Sequence, residues 1–295
     1  VRSGQANVSR LPLLSRVPSS PLVVVAIASV QVGSAVATKL FAQAGPGGAS
    51  LLRLAWASVI LVALSRPRVR GLTRRQWLLA VAFGVVLAAM NTAFYSAIDR
   101  IPLGVAVTVE FIGPLAVAVA GSRRGRDVIW AALAAAGILA LTHGSAHALN
   151  TLGVLFALLA GVMWAAYILL NAQLGRAFET GGGLAIAISV GALAMLPIGI
   201  AQGGAHLLSP RSLALGAALG ILSSAIPYSL EMEALRRIAT SVFGVLMSLE
   251  PAVAALVGFV AIGQGLSARA LLGIALVMIA SGGAARSSRL AAVSP

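Results

Sequence analysis

Ten stretches of this chain are almost free of charge, and each is about long enough to cross a bilayer. Read with a window of about one span, they fall at 21–41, 46–65, 76–98, 102–121, 128–146, 151–171, 184–202, 212–234, 240–260 and 269–285. Lipid offers no hydrogen bonds, so every backbone N–H and C=O in such a segment must be paired within the protein, and a helix does this alone. With 59% hydrophobic and 9% charged residues over 295 positions, too little polar surface is left for a soluble domain. The expected fold class is all-α, a polytopic membrane protein with ten transmembrane helices.

The arginines orient these helices. With the N-terminus cytoplasmic, sixteen basic residues fall on the inner side, among them Arg66, Arg68, Arg70, Arg74 and Arg75, against three on the outer side, Arg100, Arg211 and Arg269. Lys39 and Arg53 lie within spans. This asymmetry places both termini in the cytoplasm. It also accounts for the net charge of +14 without nucleic acid, because the basic residues sit in short clusters between apolar runs. Arg10 and Arg16 precede an apolar run ending in Ala35-Val36-Ala37, which imitates a secretory signal. The run is longer than a signal core, and removing it would spoil the even number of spans, so it is expected to be the first span. Residues 1–20 and 286–295 are expected to be cytoplasmic tails.

An internal repeat divides the chain. An offset of 137 aligns Ala97 with Ala234, Arg100 with Arg237, Ile101 with Ile238, Val105 with Val242 and Pro114 with Pro251. Five spans per half is an odd number, so equivalent spans run in opposite directions. The expected architecture is two inverted five-helix repeats, 21–146 and 151–285, with a substrate site near the midplane between them.

Two carboxylates mark that site. Glu110 and Glu250 lie near the middle of the fourth and ninth stretches, where a charge costs roughly 2.5–3.5 kcal/mol to insert. A chain keeps such a residue for a proton, a substrate or a partner, or for a hydrogen bond between two spans. Pro114 follows Glu110 by one turn and Pro251 directly follows Glu250, so both are candidate kinks that free carbonyls at that depth. Arg53, near the centre of the second span, stays charged at any ordinary pH. It pairs with Glu110 or Glu250, binds a substrate carboxylate, or snorkels outward. Asn91 and Tyr228 are equivalent under the same offset and either line a cavity or serve packing. Tyr95 shares a helix face with Asn91, and its position nearer the outer surface fits an interfacial aromatic belt. Glu233 is spaced to pair with Arg237, whereas Glu231, a turn deeper, is a candidate for an inner vestibule. Gly216 and Gly220 have the spacing of a close helix contact.

Enzymatic readings find little support. His143, His147 and His206 have no third ligand nearby in sequence, the chain has no cysteine, and it lacks a phosphate-binding GxxxxGK[ST] run. No serine is flanked by a plausible intramembrane histidine base. No metal, cofactor or nucleic-acid partner is expected.

Several strings then carry a resemblance: NTAFYSAIDRIPLGVAVT (91–108), EFIGPLAVAVAGSRR (110–124), GVMWAAYIL (161–169), PYSLEMEALRR (227–237) and FGVLMSLEPAVAALVG (243–258). They resemble the EamA-type transporters of the drug/metabolite transporter superfamily, within it most the threonine/homoserine exporters, over nearly the whole chain. The resemblance implies a multi-pass secondary exporter of small amino acids or related metabolites in a bacterial inner membrane. It implies Asn91, Tyr95, Glu110, Pro114, Tyr228, Glu231, Glu250 and Pro251 as cavity residues. Where relatives usually carry Gly-Glu after the ninth span, this chain reads Gly263-Gln264. The expected partners are a small-molecule substrate, protons and the lipid bilayer, with room for a homodimer. Efflux of larger amphipathic compounds and a non-transporting scaffold are the competing readings.

Overall fold

The computed structural model describes residues 19–120, 126–142, 150–178, 182–235, 243 and 246–293. Among them the apolar runs form helices and no strand. The helices are α1 (Ser19–Ser65), α2 (Arg74–Ile98), α3 (Leu103–Glu110), α4 (Ile112–Ala120), α5 (Arg126–Thr142), α6 (Thr151–Ala177), α7 (Gly182–Gly203), α8 (Pro210–Gly220), α9 (Ile226–Leu235), α10 (Glu250–Ile262) and α11 (Ala268–Val293).

Polar residues in the connections set the helix starts. Thr73 caps α2 in a reciprocal box with Gln76, Asn150 accepts from Gly153 N–H at 3.0 Å at the start of α6, and Ser209 caps α8 ahead of Pro210. The first two predicted spans join into α1, which is broken by one non-helical residue, Gly45 (φ 65°). That backbone angle favours glycine, and Pro46 next to it has no N–H to leave unpaired. The break is fastened from outside, where Gln202 Oε1 accepts from Gly47 N–H at 2.7 Å. At the other end of the chain, α11 runs on to Val293, past the expected boundary at 285.

Three further interruptions follow, two of them at a carboxylate. The fourth predicted span divides between α3 and α4 at Phe111, one residue after Glu110. Pro114 has no N–H for the Glu110 carbonyl four residues back, so the ladder cannot close across this point. In the ninth, α10 begins at Glu250 after a turn at Ser248 and Leu249, with Pro251 in its first turn, where a missing N–H costs nothing. The eighth divides into α8 and α9 around a π turn, Ile221–Ala225, closed by Ile226 N–H donating to Ile221 C=O.

Small residues let the helices approach. An added Cβ on Gly84 would meet the Ala187 carbonyl of α7, and one on Gly191 would lie 2.8 Å from the Gly84 carbonyl. The Gly216/Gly220 pair seats α8 against Trp56 of α1, which is the packing role expected of it. Around these contacts α1 packs on α7, α8 and α9, α2 on α6 and α7, α3 on α6 and α10, and α5 on α11.

The outward faces are apolar: Leu193 is 65% exposed, Phe259 63% and Val260 73%. Such faces suit hydrocarbon and not water. Four helical stretches among the described residues, Ser20–Ser65, Arg74–Ile98, Thr151–Ala177 and Gly182–Leu208, are long and apolar enough to cross a membrane. Residues 1–18, His143, His147, Arg236 and Arg237 lie outside the described residues, and with them the expected Glu233–Arg237 pair and most of the expected N-terminal tail.

Candidate functional site

The helix interruptions surround one cavity of about 480 Å³. Six of the expected residues line it: Arg53 from α1, Asn91 from α2, Glu110 from the end of α3, Pro114 from α4, Glu231 from α9 and Glu250 from the start of α10. Pro251 is buried beside it in the first turn of α10. Tyr228 belongs to α9, and its side chain lies outside the described residues.

The interruptions account for the polarity of the cavity. Glu110 and Glu250 are both buried, and each terminates a helix instead of sitting within one. Glu110 lies within electrostatic reach of Glu250 and of Arg53, and Glu250 within reach of Glu231. Beside the break after Glu110, α6 comes very close. An added Cβ on Gly161 would lie 2.7 Å from the Glu110 carbonyl oxygen, and one on Gly113 would meet the Gly161 carbonyl.

Arg53 is held by the other interruption. Its Nη2 donates to the Ser223 carbonyl at 3.0 Å, inside the π turn, and its Nη1 donates to the Tyr95 hydroxyl at 3.4 Å. A π turn shifts the hydrogen-bond register and leaves carbonyls for other donors. Ser29 Oγ takes the neighbouring Leu222 carbonyl at 2.7 Å. Tyr95 therefore does not sit in an interfacial belt. It is fully buried, stacks near Phe41 and Phe94, and lies under the Arg53 guanidinium with the ring centroid 5.9 Å from Cζ. Asn91 also differs from the alternative of an interhelical bond. Its Nδ2 donates to the Leu87 carbonyl of its own helix at 2.7 Å, which leaves Oδ1 as its other polar atom on a residue that lines the cavity.

Sequence reasoning missed several lining residues. Gln31 donates through Nε2 to Glu250 Oε1 at 3.0 Å. Trp164, Tyr167 and Asn171 come from α6, with Trp164 edge-on to Phe111 at 5.4 Å between centroids. The signals were present: Gln31 is the only amide of its apolar run, and Tyr167 and Asn171 have the i, i+4 spacing that puts two residues on one helix face.

A helical body with an apolar exterior and a charged, partly aromatic cavity between its helices has the form of a membrane transport protein. The model of the EamA-like transporter family matches residues 151–284. The threonine/homoserine exporter RhtA of Escherichia coli (strain K12) is 42% identical over 265 residues, 89% of each chain, and the protein of that name from Salmonella typhimurium (strain LT2) is 40% identical over 266 residues, again 89% of each. An uncharacterized transporter of Bacillus subtilis (strain 168), YwfM, is 28% identical across 79% of this chain and 78% of its own. A solved crystal structure shares the fold, with a TM-score of 0.61 at 19% identity over 92% of this chain and 99% of that one. The chain belongs to the EamA-like transporter family.

Proposed function

We propose that this protein is a secondary exporter of small amino acids, threonine and homoserine foremost, driven by the proton-motive force across a bacterial inner membrane. It crosses that membrane ten times as two inverted five-helix repeats, 21–146 and 151–285, with both termini cytoplasmic. The observation that carries this reading is the convergence of one buried arginine and three glutamates on a single cavity, in a chain that is 42% identical to a threonine/homoserine exporter. A zwitterion needs one cationic and one anionic contact, and Arg53 and either Glu110 or Glu250 supply them.

Two facts support the repeat. The family model matches 151–284, almost the expected second half. The cavity is lined by pairs of residues 137 apart: Val30 and Tyr167, Gln31 and Ile168, Ser34 and Asn171, Met90 and Pro227, Phe94 and Glu231, Glu110 and Met247. Two halves related by one offset offer the same faces to a shared space, as an inverted repeat requires.

The size of the cavity favours a second reading. At about 480 Å³ it falls within the range of sites for drug-sized molecules, and Phe111 and Trp164 give it an apolar wall. Larger amphipathic metabolites are the alternative cargo.

Counterflow of radiolabelled threonine and homoserine in proteoliposomes tests both readings. Saturable uptake accelerated by a pH gradient is the expected result, and competition by bulky amphipathic amines in place of amino acids would favour the alternative. Glu110→Gln and Glu250→Gln are each expected to abolish gradient-driven transport while the protein stays monodisperse in detergent. Wild-type rates in both would overturn the mechanism.

A further inference from the structure

Hydrogen-bond accounting around Glu250 leaves a specific remainder. Gln31 Nε2 donates to Glu250 Oε1 at 3.0 Å, and because a carboxylate oxygen only accepts, the amide must present its nitrogen there and keep its carbonyl oxygen free. That carbonyl, Gln31 Oε1, and the second carboxyl oxygen, Glu250 Oε2, are both buried, and neither has a hydrogen-bond partner among the described residues. Gln31 is 1% exposed and Glu250 7%, and both residues line the cavity. Two hydrogen-bonded residues thus bury two acceptors for which no donor is at hand, an arrangement that is expensive.

We propose that Gln31 and Glu250 form a single-occupancy site that holds either one proton or the ammonium group of the substrate, so that the two exclude each other. This rests on the amino-acid reading above and deepens it. With a proton on Oε2, the carboxyl becomes a donor there while Oε1 still accepts from the Gln31 N–H, and one of the two unpaired acceptors is removed. When the O–H bond breaks, the proton passes to water and the electron pair stays on Oε2. Two unpaired acceptors on hydrogen-bonded residues then line the cavity, and an ammonium group, with three donors and a positive charge, is the substrate group that suits them. The charged groups that face the pair among the described residues are Glu110 from α3, Glu231 from α9 and Arg53 from α1. Exchange of proton for ammonium at a site between two repeats is what a proton-driven exporter requires, and Gln31 is a positioning and specificity-determining residue in it.

Infrared difference spectroscopy of the substrate-free protein reads the proton directly. The protonated-carboxyl C=O band is expected in wild type, lost in Glu250→Gln, retained in Glu110→Gln, and shifted in Gln31→Leu, where the amide partner is gone. A band unchanged in Glu250→Gln, or absent from wild type, overturns the proposal whether or not threonine is the cargo. Gradient-free counterflow gives the second readout: apparent KM for threonine should rise by up to about tenfold per unit fall in pH, the limit for one competing proton, and this slope should flatten in Gln31→Leu. Counterflow with a KM independent of pH would keep the amino-acid reading and overturn this one. Absence of counterflow at every pH would remove the amino-acid reading and leave the infrared result to decide the proton site.

Discussion

Arg53 shows how a single cation is tolerated inside an apolar bundle. It is 8% exposed, yet its fork reaches a carbonyl released by the π turn and a tyrosine hydroxyl, with a carboxylate within electrostatic reach. A lysine presents a point charge and cannot span the Ser223 carbonyl and the Tyr95 hydroxyl together. Arg53→Lys is therefore expected to lose one charge-assisted hydrogen bond, worth about 1.5–3 kcal/mol, and to lower transport by about tenfold or more at unchanged expression. Tyr95→Phe keeps the packing against Phe41 and Phe94 and removes only a long hydrogen bond, so its transport should stay within about threefold of wild type by the same scale. Equal damage from both substitutions would show that the hydroxyl, and not the fork, holds the arginine. At this scale the sequence was informative about charges and less so about amides. Intramembrane Glu110, Glu250 and Arg53 are conspicuous by their cost, whereas Gln31, although the lone amide of its run, is cheap enough to pass as helix packing until its distance to Glu250 is known.

The elements that matter most are the ones that stop early. The Pro114 and Pro251 signals marked where the fourth and ninth spans are interrupted, because a missing N–H is a local property that a sequence displays. The π turn at Ile221–Ala225 carries no proline and had no such mark, whereas the break at Gly45 falls in the gap between the first two predicted spans. Gly161 has no local mark either. Its purpose is tertiary, since α6 crosses the break after Glu110 where neither helix has room for a side chain. Gly161→Ala would press a methyl group to 2.7 Å from the Glu110 carbonyl oxygen, a backbone atom that cannot swing aside. The expected cost is about 1–3 kcal/mol, seen as a lower midpoint in thermal unfolding in detergent, together with loss of transport. Gly175→Ala, on the same helix with nothing within 4 Å of an added Cβ, should be neutral or stabilise by up to about 1 kcal/mol. Identical behaviour of the two variants would dismiss the crossing as a constraint.

Across the whole molecule, the cavity lining and the tightest contact of α3 with α10 lie apart. There the start of α3 is fastened to α10 and the turn after it: an added Cβ on Gly104 would lie 2.7 Å from Ala255 Cα, and Gln264 Oε1 accepts from Leu103 N–H at 2.9 Å. A glutamate at position 264 would accept the same bond, so the departure from relatives noted in the sequence preserves the fastening. Lining residues instead include Leu115 in the first turn of α4, Asn171 late in α6 and Glu231 midway along α9. In the orientation proposed from the arginines the C-terminal ends of these helices are cytoplasmic, and the cavity would then face the compartment from which an exporter loads. The absence of cysteine makes this directly measurable, because one introduced thiol is the only one present. Asn171→Cys places it on an exposed cavity-lining position, and Leu208→Cys on a residue 76% exposed in the connection between α7 and α8, which the proposed orientation puts outside. A membrane-impermeant maleimide should label Asn171→Cys only in inverted vesicles and Leu208→Cys only in right-side-out vesicles. The reverse pattern for both would invert the topology and make the loading side periplasmic. Labelling of Asn171→Cys from both sides would mean that the α3–α10 fastening does not close the cavity.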